Sequence, residues 1–188
     1  MSPSTTHTVA VIGGDGIGPE VVAEALKVVS AAGVQLDTTP FELGAARYLR
    51  DGEVLHDATL EQLRSFDAIL LGAVGPPVGS TDVPAGLLER GLLLRMRFEL
   101  DLYVNLRPFV GVPGAPAPDC DFVVVRENTE GEYAQVGGFV YHQQPEEIAI
   151  QTSVFTRRGI ERIVRFAFEL AARRDKKKRV TSITKSNA

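Results

Sequence analysis

Short apolar runs alternating with amphipathic stretches constrain this chain more than any other feature. TVAVIG (8–13) reads as a short apolar strand, and FDAILLGAVG (66–75), too short for a helix and ending in glycines, as a buried parallel strand. Between them, Pro19 to about Ala32 reads as a helix with proline in its first turn, and 34–41 as a second strand. Residues 44–51 and 57–65 read as helices, with Asp57 as the N-cap of the second. Residues 85–100 are strongly helical, LYVNLRP (102–108) is a strand closed by proline, and DFVVVRE (121–127) is another buried strand. A Pro- and Gly-rich loop (111–118) separates those two strands, and strand-like segments occupy 132–155. Thr156 to Arg174 form an amphipathic helix with Ile160, Ile163, Val164, Ala167, Phe168 and Ala171 on one stripe. RVTSITKSN then begins a final strand. Such alternation implies an α/β architecture with a largely parallel sheet, and a composition shift near 101–108 marks a lobe boundary. A domain rarely finishes at the tip of a buried strand, so the ending reads as that of a truncated chain.

Composition narrows the classes of partner. The 188 residues carry 20 Lys and Arg against 24 Asp and Glu, a net charge of −4, which argues against nucleic acid. The basic run at 175–179 joins a helix to a strand and reads as a solvated connection. The single cysteine, Cys120, permits neither an intramolecular disulfide nor a cysteine-based zinc site, which fits a reducing cytoplasm. No apolar run approaches the ~20 residues that cross a bilayer, and the polar start MSPSTTHT lacks a signal peptide's apolar core. A soluble cytoplasmic protein with no membrane partner is the expectation.

The stretch VIGGDGIGPEVV (11–22) looks like a dinucleotide-binding turn, yet Pro19 occupies the place of the third glycine in G-x-G-x-x-G. Proline also removes one amide that an anion at a helix start would use. Asp37 lies roughly where a ribose-binding acid would stand. A tight strand-to-helix turn is the stronger reading of this loop.

Arginines sit where strands and helices end. Arg97 shares a helical face with Arg90, Leu93 and Leu94, while Arg107 and Arg126 close two strands. Three arginines converging on one point would suit a di- or tricarboxylate. Each could equally be solvated, or paired with a nearby acid such as Glu99, Asp101 or Glu127. Tyr133 beside cationic groups could donate a proton, and a buried Lys185 could serve as a base, against the plainer readings of a strand aromatic and a solvated strand end. Glu130 and Glu132 read as turn and solvent-face residues.

Taken together, GGDGIGPEVV, DAILLGAVG, LLERGLLLRMRFELDLYVNLRP, DFVVVRENTEGEY and TSITKSNA resemble, in order, the β-decarboxylating dehydrogenases. That family includes the 3-isopropylmalate, isocitrate, homoisocitrate, tartrate and D-malate dehydrogenases. The resemblance implies the isopropylmalate dehydrogenase-like two-domain α/β fold, which is not a Rossmann fold. Residues 1–102 would be the first part of the large domain, and 103–188 the first part of the small, dimer-forming domain. The hairpin around 133–155 resembles the family's intersubunit arm.

The resemblance assigns substrate binding to Arg97, Arg107 and Arg126, with Leu93 and Leu94 lining the pocket for the C3 substituent. Tyr133 would protonate the enolate left by decarboxylation, and Lys185 would take the substrate's hydroxyl proton across a homodimer interface. Ile17, Gly72, Gly75 and Asn187 fall on the nicotinamide side of the cofactor cleft. The implied cofactors are NAD and Mg²⁺ or Mn²⁺, and the substrate is a 2-hydroxy dicarboxylate that loses hydride to NAD and then CO₂. The family's metal-binding aspartates and adenine-binding segment lie beyond Lys185, so no metal ligand is expected within this chain, and the 188 residues alone are expected to be inactive. RENTEGEYAQVGG, DLYVNLRP and Ala188 in place of a valine lean the expectation towards the D-malate/tartrate branch, with 3-isopropylmalate dehydrogenase as the alternative. A non-catalytic regulatory subunit is a further alternative, disfavoured by the presence of both proton-transfer residues.

Overall fold

The structure is a computed structural model that describes residues 6–76, 78–114, 116–117 and 119–184. The chain divides after Leu100 into two compact units.

The first unit is built on three parallel strands, β1 (His7–Gly14), β2 (Leu36–Pro40) and β3 (Ala68–Ala73), in the order β2-β1-β3. The central strand carries the core: Ala10 and Ile12 are fully buried, and they join Leu60, Leu63, Leu92 and Met96. Helices α1 (Gly18–Ala31), α2 (Ala45–Asp51) and α3 (Asp57–Arg64) follow the expected alternation. Asp57 is the first helical residue of α3 rather than its cap; His56 takes the capping position. The Asp57 carboxylate instead pairs with Arg95. β3 is not a buried strand as expected. It is an outer strand of its sheet, and Leu71 is 38% exposed.

Residues 85–100 do not form one α-helix. Glu89–Leu94 wind as a π-helix that runs into α4 (Arg95–Glu99). Leu88, Leu92 and Met96 are all buried. They recur every fourth residue, and a turn wider than ~3.6 residues keeps that row aimed at the core. Gly91 lies in the widened turn, where a Cβ would meet the Val54 side chain at 3.3 Å.

The second unit is antiparallel, which corrects the expectation of a largely parallel sheet. β4 (Val104–Val110) pairs with β5 (Asp121–Glu127), and β6 (Gly131–Val140) pairs with β7 (Ile148–Val154). The short segments joining the strands of each pair decide this, because a parallel return needs a crossover of about a dozen residues or more. β4 runs through Pro108 instead of stopping there, as an edge strand can. β5 is half exposed, not buried, with Phe122 and Val124 open.

Helix α5 (Arg157–Arg173) begins at Thr156, whose hydroxyl accepts from the Gly159 amide at 3.0 Å. Ile163, Ala167 and Ala171 are partly buried, but Ile160, Val164 and Phe168 are exposed, so only half of the expected stripe faces the protein. Residues 179–184 form no strand, since no described strand lies alongside to complete a backbone ladder.

Gly72 shows how tightly the first unit is assembled. A Cβ there would lie 2.3 Å from the Gly13 carbonyl oxygen and 2.9 Å from that of Gly18, so α1 and the strands meet backbone to backbone. Gly72→Ala is expected to destabilise the protein by about 1–3 kcal/mol through overpacking, read as a lower midpoint in urea unfolding. An unchanged midpoint would contradict this packing.

Candidate functional site

The glycine loop resolves into a turn whose anion is the protein's own. The Asp15 carboxylate accepts from the amides of Ala45 at 2.8 Å and Ala46 at 3.3 Å, and so caps α2. It also accepts from the Gly75 amide at 3.1 Å, tying down the segment after β3. Of the first donors of α1, the Gly18 amide goes to the Asp15 carbonyl at 2.9 Å and Pro19 has none. Gly18 also allows the close helix–strand approach that the third glycine of a dinucleotide turn provides. A Cβ there would lie 2.2 Å from the Gly13 carbonyl oxygen. Asp37 pairs with Thr8, near the start of β1, whereas the loop follows Gly14 at its end. Six residues of strand, roughly 20 Å, separate them, so Asp37 is no partner for a ligand at the loop. Ile17 is 65% exposed in this turn, and no atom crowds a Cβ built at Gly75. In the same unit Arg97 sits half-buried in the middle of α4, Leu93 packs against the core, and Leu94 is half-buried.

In the second unit the strand register gathers the other site residues. Asn105 pairs with Arg126 and Arg107 with Val124, so Asn105, Arg107 and Arg126 share one face of β4–β5. Arg107 Nε donates to Asn105 Oδ1 at 2.9 Å, and Asn105 Nδ2 donates to Asn128 Oδ1 at 3.3 Å. Asn128, only 7% exposed, donates through Nδ2 to the Leu102 carbonyl at 3.1 Å and so anchors the row. The Arg126 guanidinium lies 4.7 Å from the centroid of the half-buried Tyr133 ring. Tyr133 sits in an irregular stretch of β6. The register slips between Gly131 and Val136, and Gln135 takes φ +54°, the kind of bulge that re-aims a side chain. A cavity of about 160 Å³ opens here, lined by Arg126, Glu130, Tyr133, Phe155 and Ile160 among others.

Glu127, Glu130 and Glu132 line the same cavity as Arg126, but Asp101, Glu127 and Glu130 are bonded to other partners. Asp101 pairs with Arg162 at 2.8 Å and with Arg158 at 3.7 Å. The Glu127 carboxylate accepts from the Thr129 amide and hydroxyl at 3.0 and 2.7 Å and from the Glu130 amide at 2.7 Å, with Arg162 at 3.6 Å. Arg162 also donates to the Thr129 hydroxyl at 2.6 Å, and its guanidinium lies 4.4 Å from the centroid of the Tyr103 ring. Among the described residues, Arg107 and Arg126 form no ion pair. Glu130 is not the solvent-face residue that was expected. Its carboxylate accepts from the Thr156 amide at 2.8 Å and from the Thr156 hydroxyl, at the start of α5. Nothing near Glu130 in sequence could reveal a partner 26 residues away; the T-E-G run reads only as a turn.

Lys185 and Asn187 lie outside the described residues. Among the described residues, no group of three or more His, Cys, Asp or Glu could hold a metal ion, and no helix is long and apolar enough to cross a membrane.

A family profile described as "Isocitrate/isopropylmalate dehydrogenase" matches residues 8–188. A protein of Corynebacterium glutamicum named 3-isopropylmalate dehydrogenase is 57% identical over 183 residues, spanning 95% of this chain and 52% of its own length. One of the same name from Thermobifida fusca is 57% identical over 180 residues, spanning 90% of this chain and 50% of its own. Among solved structures, isocitrate dehydrogenase from Methylococcus capsulatus matches with a TM-score of 0.78 at 37% identity, over 92% of this chain and 49% of that one. A β-decarboxylating dehydrogenase from Thermococcus kodakarensis matches with a TM-score of 0.66 at 36% identity, over 90% and 46%. The mixed α/β fold is therefore that of these dehydrogenases, and the chain spans about half the length of the curated relatives it matches.

The leaning towards the D-malate/tartrate branch is overturned. Curated relatives at 54–57% identity are named 3-isopropylmalate dehydrogenase. Within RENTEGEY, Glu127, Asn128, Thr129 and Glu130 are occupied in building a turn.

Burial opposes the charge on Glu130, but the Thr156 hydroxyl and amide, with Arg162 and Arg158, outweigh it and hold the carboxyl below its ordinary value of 4.5. A lowered folded value means that the stabilisation is complete above pH 4.5 and is lost as the pH falls through the folded value. The difference in unfolding free energy between the native protein and Glu130→Gln is expected to shrink below pH 4.5, measured by urea titrations between about pH 3 and pH 7. A difference that stays constant across that range would contradict the assignment.

Proposed function

Since the chain belongs to the isocitrate/isopropylmalate dehydrogenase family, we propose that it forms part of an NAD-dependent 3-isopropylmalate dehydrogenase. The observation that carries this reading is the pair of arginines on the β4–β5 face. Arg107 and Arg126 have no carboxylate partner among the described residues, while the adjacent Asp101 and Glu127 are held by Arg162. Guanidinium groups without a carboxylate partner are suited to planar, bidentate binding of a substrate's carboxylates, and Arg126 lines the cavity beside Tyr133. Arg97 is proposed as a further substrate ligand on the family resemblance alone.

In this reading Lys185 takes the proton of the C2 hydroxyl as the C2 hydrogen leaves with its electron pair. The carboxylate on C3 then departs as CO₂, and its bonding electrons form an enolate. Tyr133 donates its phenolic proton to C3, and the Arg126 guanidinium over its ring stabilises the phenolate that remains. NAD supplies the hydride acceptor. The described residues fit its nicotinamide end, where Ile17 is exposed and the space at Gly75 is open. Gly72, by contrast, is accounted for by backbone packing alone. Among the described residues no group of three or more acids, histidines or cysteines could hold Mg²⁺ or Mn²⁺, and the family resemblance puts the metal-binding aspartates beyond Lys185. Leu93 and Leu94 suit an isopropyl substituent at C3. The exposed Phe139, Ile148 and Ile150 of the β6–β7 hairpin suit a homodimer interface.

The enzyme containing this chain is expected to reduce NAD⁺ with 3-isopropylmalate at a higher kcat/KM than with D-malate or tartrate. Tyr133→Phe should lower kcat by roughly 10²–10⁴-fold, as loss of a general acid does. Arg126→Gln should raise KM. Preference for D-malate, or full activity in Tyr133→Phe, would refute the reading.

A further inference from the structure

We infer that Glu130 is a positioning residue for Tyr133: by bonding to the start of α5, its carboxylate fixes the entry of β6 so that the Tyr133 ring lies under Arg126. The inference rests on the reading of Tyr133 as the proton donor.

Tyr133 cannot take its place from the sheet ladder. Gly131 pairs with Val154, and regular pairing with β7 resumes only at Val136. The residues between are joined to those two ends, and Gln151 Nε2 donates to the Glu132 carbonyl at 3.1 Å. The far end is held by the regular β6–β7 ladder. The near end turns sharply at Gly131, at φ +74°, immediately after Glu130.

Glu130 is gripped at both its backbone and its side chain. Its amide donates to Glu127 at 2.7 Å, and its carboxylate takes the amide and hydroxyl of Thr156. Thr156 in turn caps α5 through the Gly159 amide at 3.0 Å. Gly159 belongs to the same device: a Cβ there would lie 2.3–2.5 Å from the Glu130 carboxyl, so only glycine lets the acid pass over the helix start. With its oxygens committed in this way, Glu130 acts on the reaction through the backbone it holds. Arg107 and Arg126 stand on β4 and β5, outside the stretch that Glu130 fixes.

The test uses the full-length enzyme with Glu130→Gln, Thr156→Val and Thr156→Ser, and two readouts. The first is steady-state kinetics with 3-isopropylmalate. Glu130→Gln and Thr156→Val should lose about 10- to 100-fold in kcat, the scale of a small misplacement of a reacting group. KM should stay within about threefold, because the arginines do not move. Thr156→Ser keeps the hydroxyl and should restore kcat. The second readout is the ring resonance of ¹³C-labelled Tyr133, assigned with Tyr133→Phe. It should shift in Glu130→Gln and Thr156→Val and stay in place in Thr156→Ser. Unchanged kcat in the folded variants, a KM that rises as kcat falls, or an unmoved resonance would each overturn the inference. Should Glu130→Gln not fold, the two Thr156 variants test the same bond. Should the wild type not turn over 3-isopropylmalate, the functional reading fails, and the resonance alone then decides whether Glu130 positions Tyr133.

Discussion

Both units depend on one kind of interaction: a motif carboxylate bonded to backbone amides at the start of a helix. Helix starts leave amides without partners, and an acid that takes them satisfies the backbone and favours the helix dipole together. Asp15 does this for α2 and also holds the segment after β3. Glu130 does it for α5 through Thr156, and Glu127 closes the turn just before it. Without these bonds the loop ends of the strands would lose a fixed point.

A division of labour follows within the second unit. Asp101, Glu127 and Glu130 are consumed by the framework, by amides or by Arg162, which is held between Asp101 and the Thr129 hydroxyl. The arginines of the β4–β5 face are held by neutral groups instead. Arg107 leans on Asn105, which leans on the buried Asn128. A neutral partner orients a guanidinium without cancelling its charge, and this is the condition a carboxylate-binding site requires. The bulge in β6 then places an aromatic hydroxyl-bearing side chain beside one of those charges.

What could be read in the sequence was what is decided locally. β1, α1 and α5 have their periodicity and boundaries written within about a dozen residues, and DFVVVRE is a strand over its whole expected span. The arginine and tyrosine positions came from the family resemblance carried by RENTEGEY and the arginine-bearing block, and the structure brings Arg126 and Tyr133 side by side. What depends on distant partners was not legible. The antiparallel pairing of β4 and β5 is set by a loop length, and the π-helical turn by the demand that Leu88, Leu92 and Met96 face one core. The failure of Asp37 as a ribose ligand needed the strand register, and the role of Glu130 needed Thr156.

The proposed function has Arg107 and Arg126 take the ligand while Glu127 and Glu130 stay bonded to the scaffold. A crystal structure of the full-length enzyme with 3-isopropylmalate bound tests it most directly. The account predicts substrate carboxylates within hydrogen-bond distance of the Arg107 and Arg126 guanidinium groups, with Glu127 and Glu130 still bonded to the Thr129 and Thr156 amides. A substrate bound away from both arginines, or Glu127 or Glu130 released from those amides to touch the ligand, would contradict it.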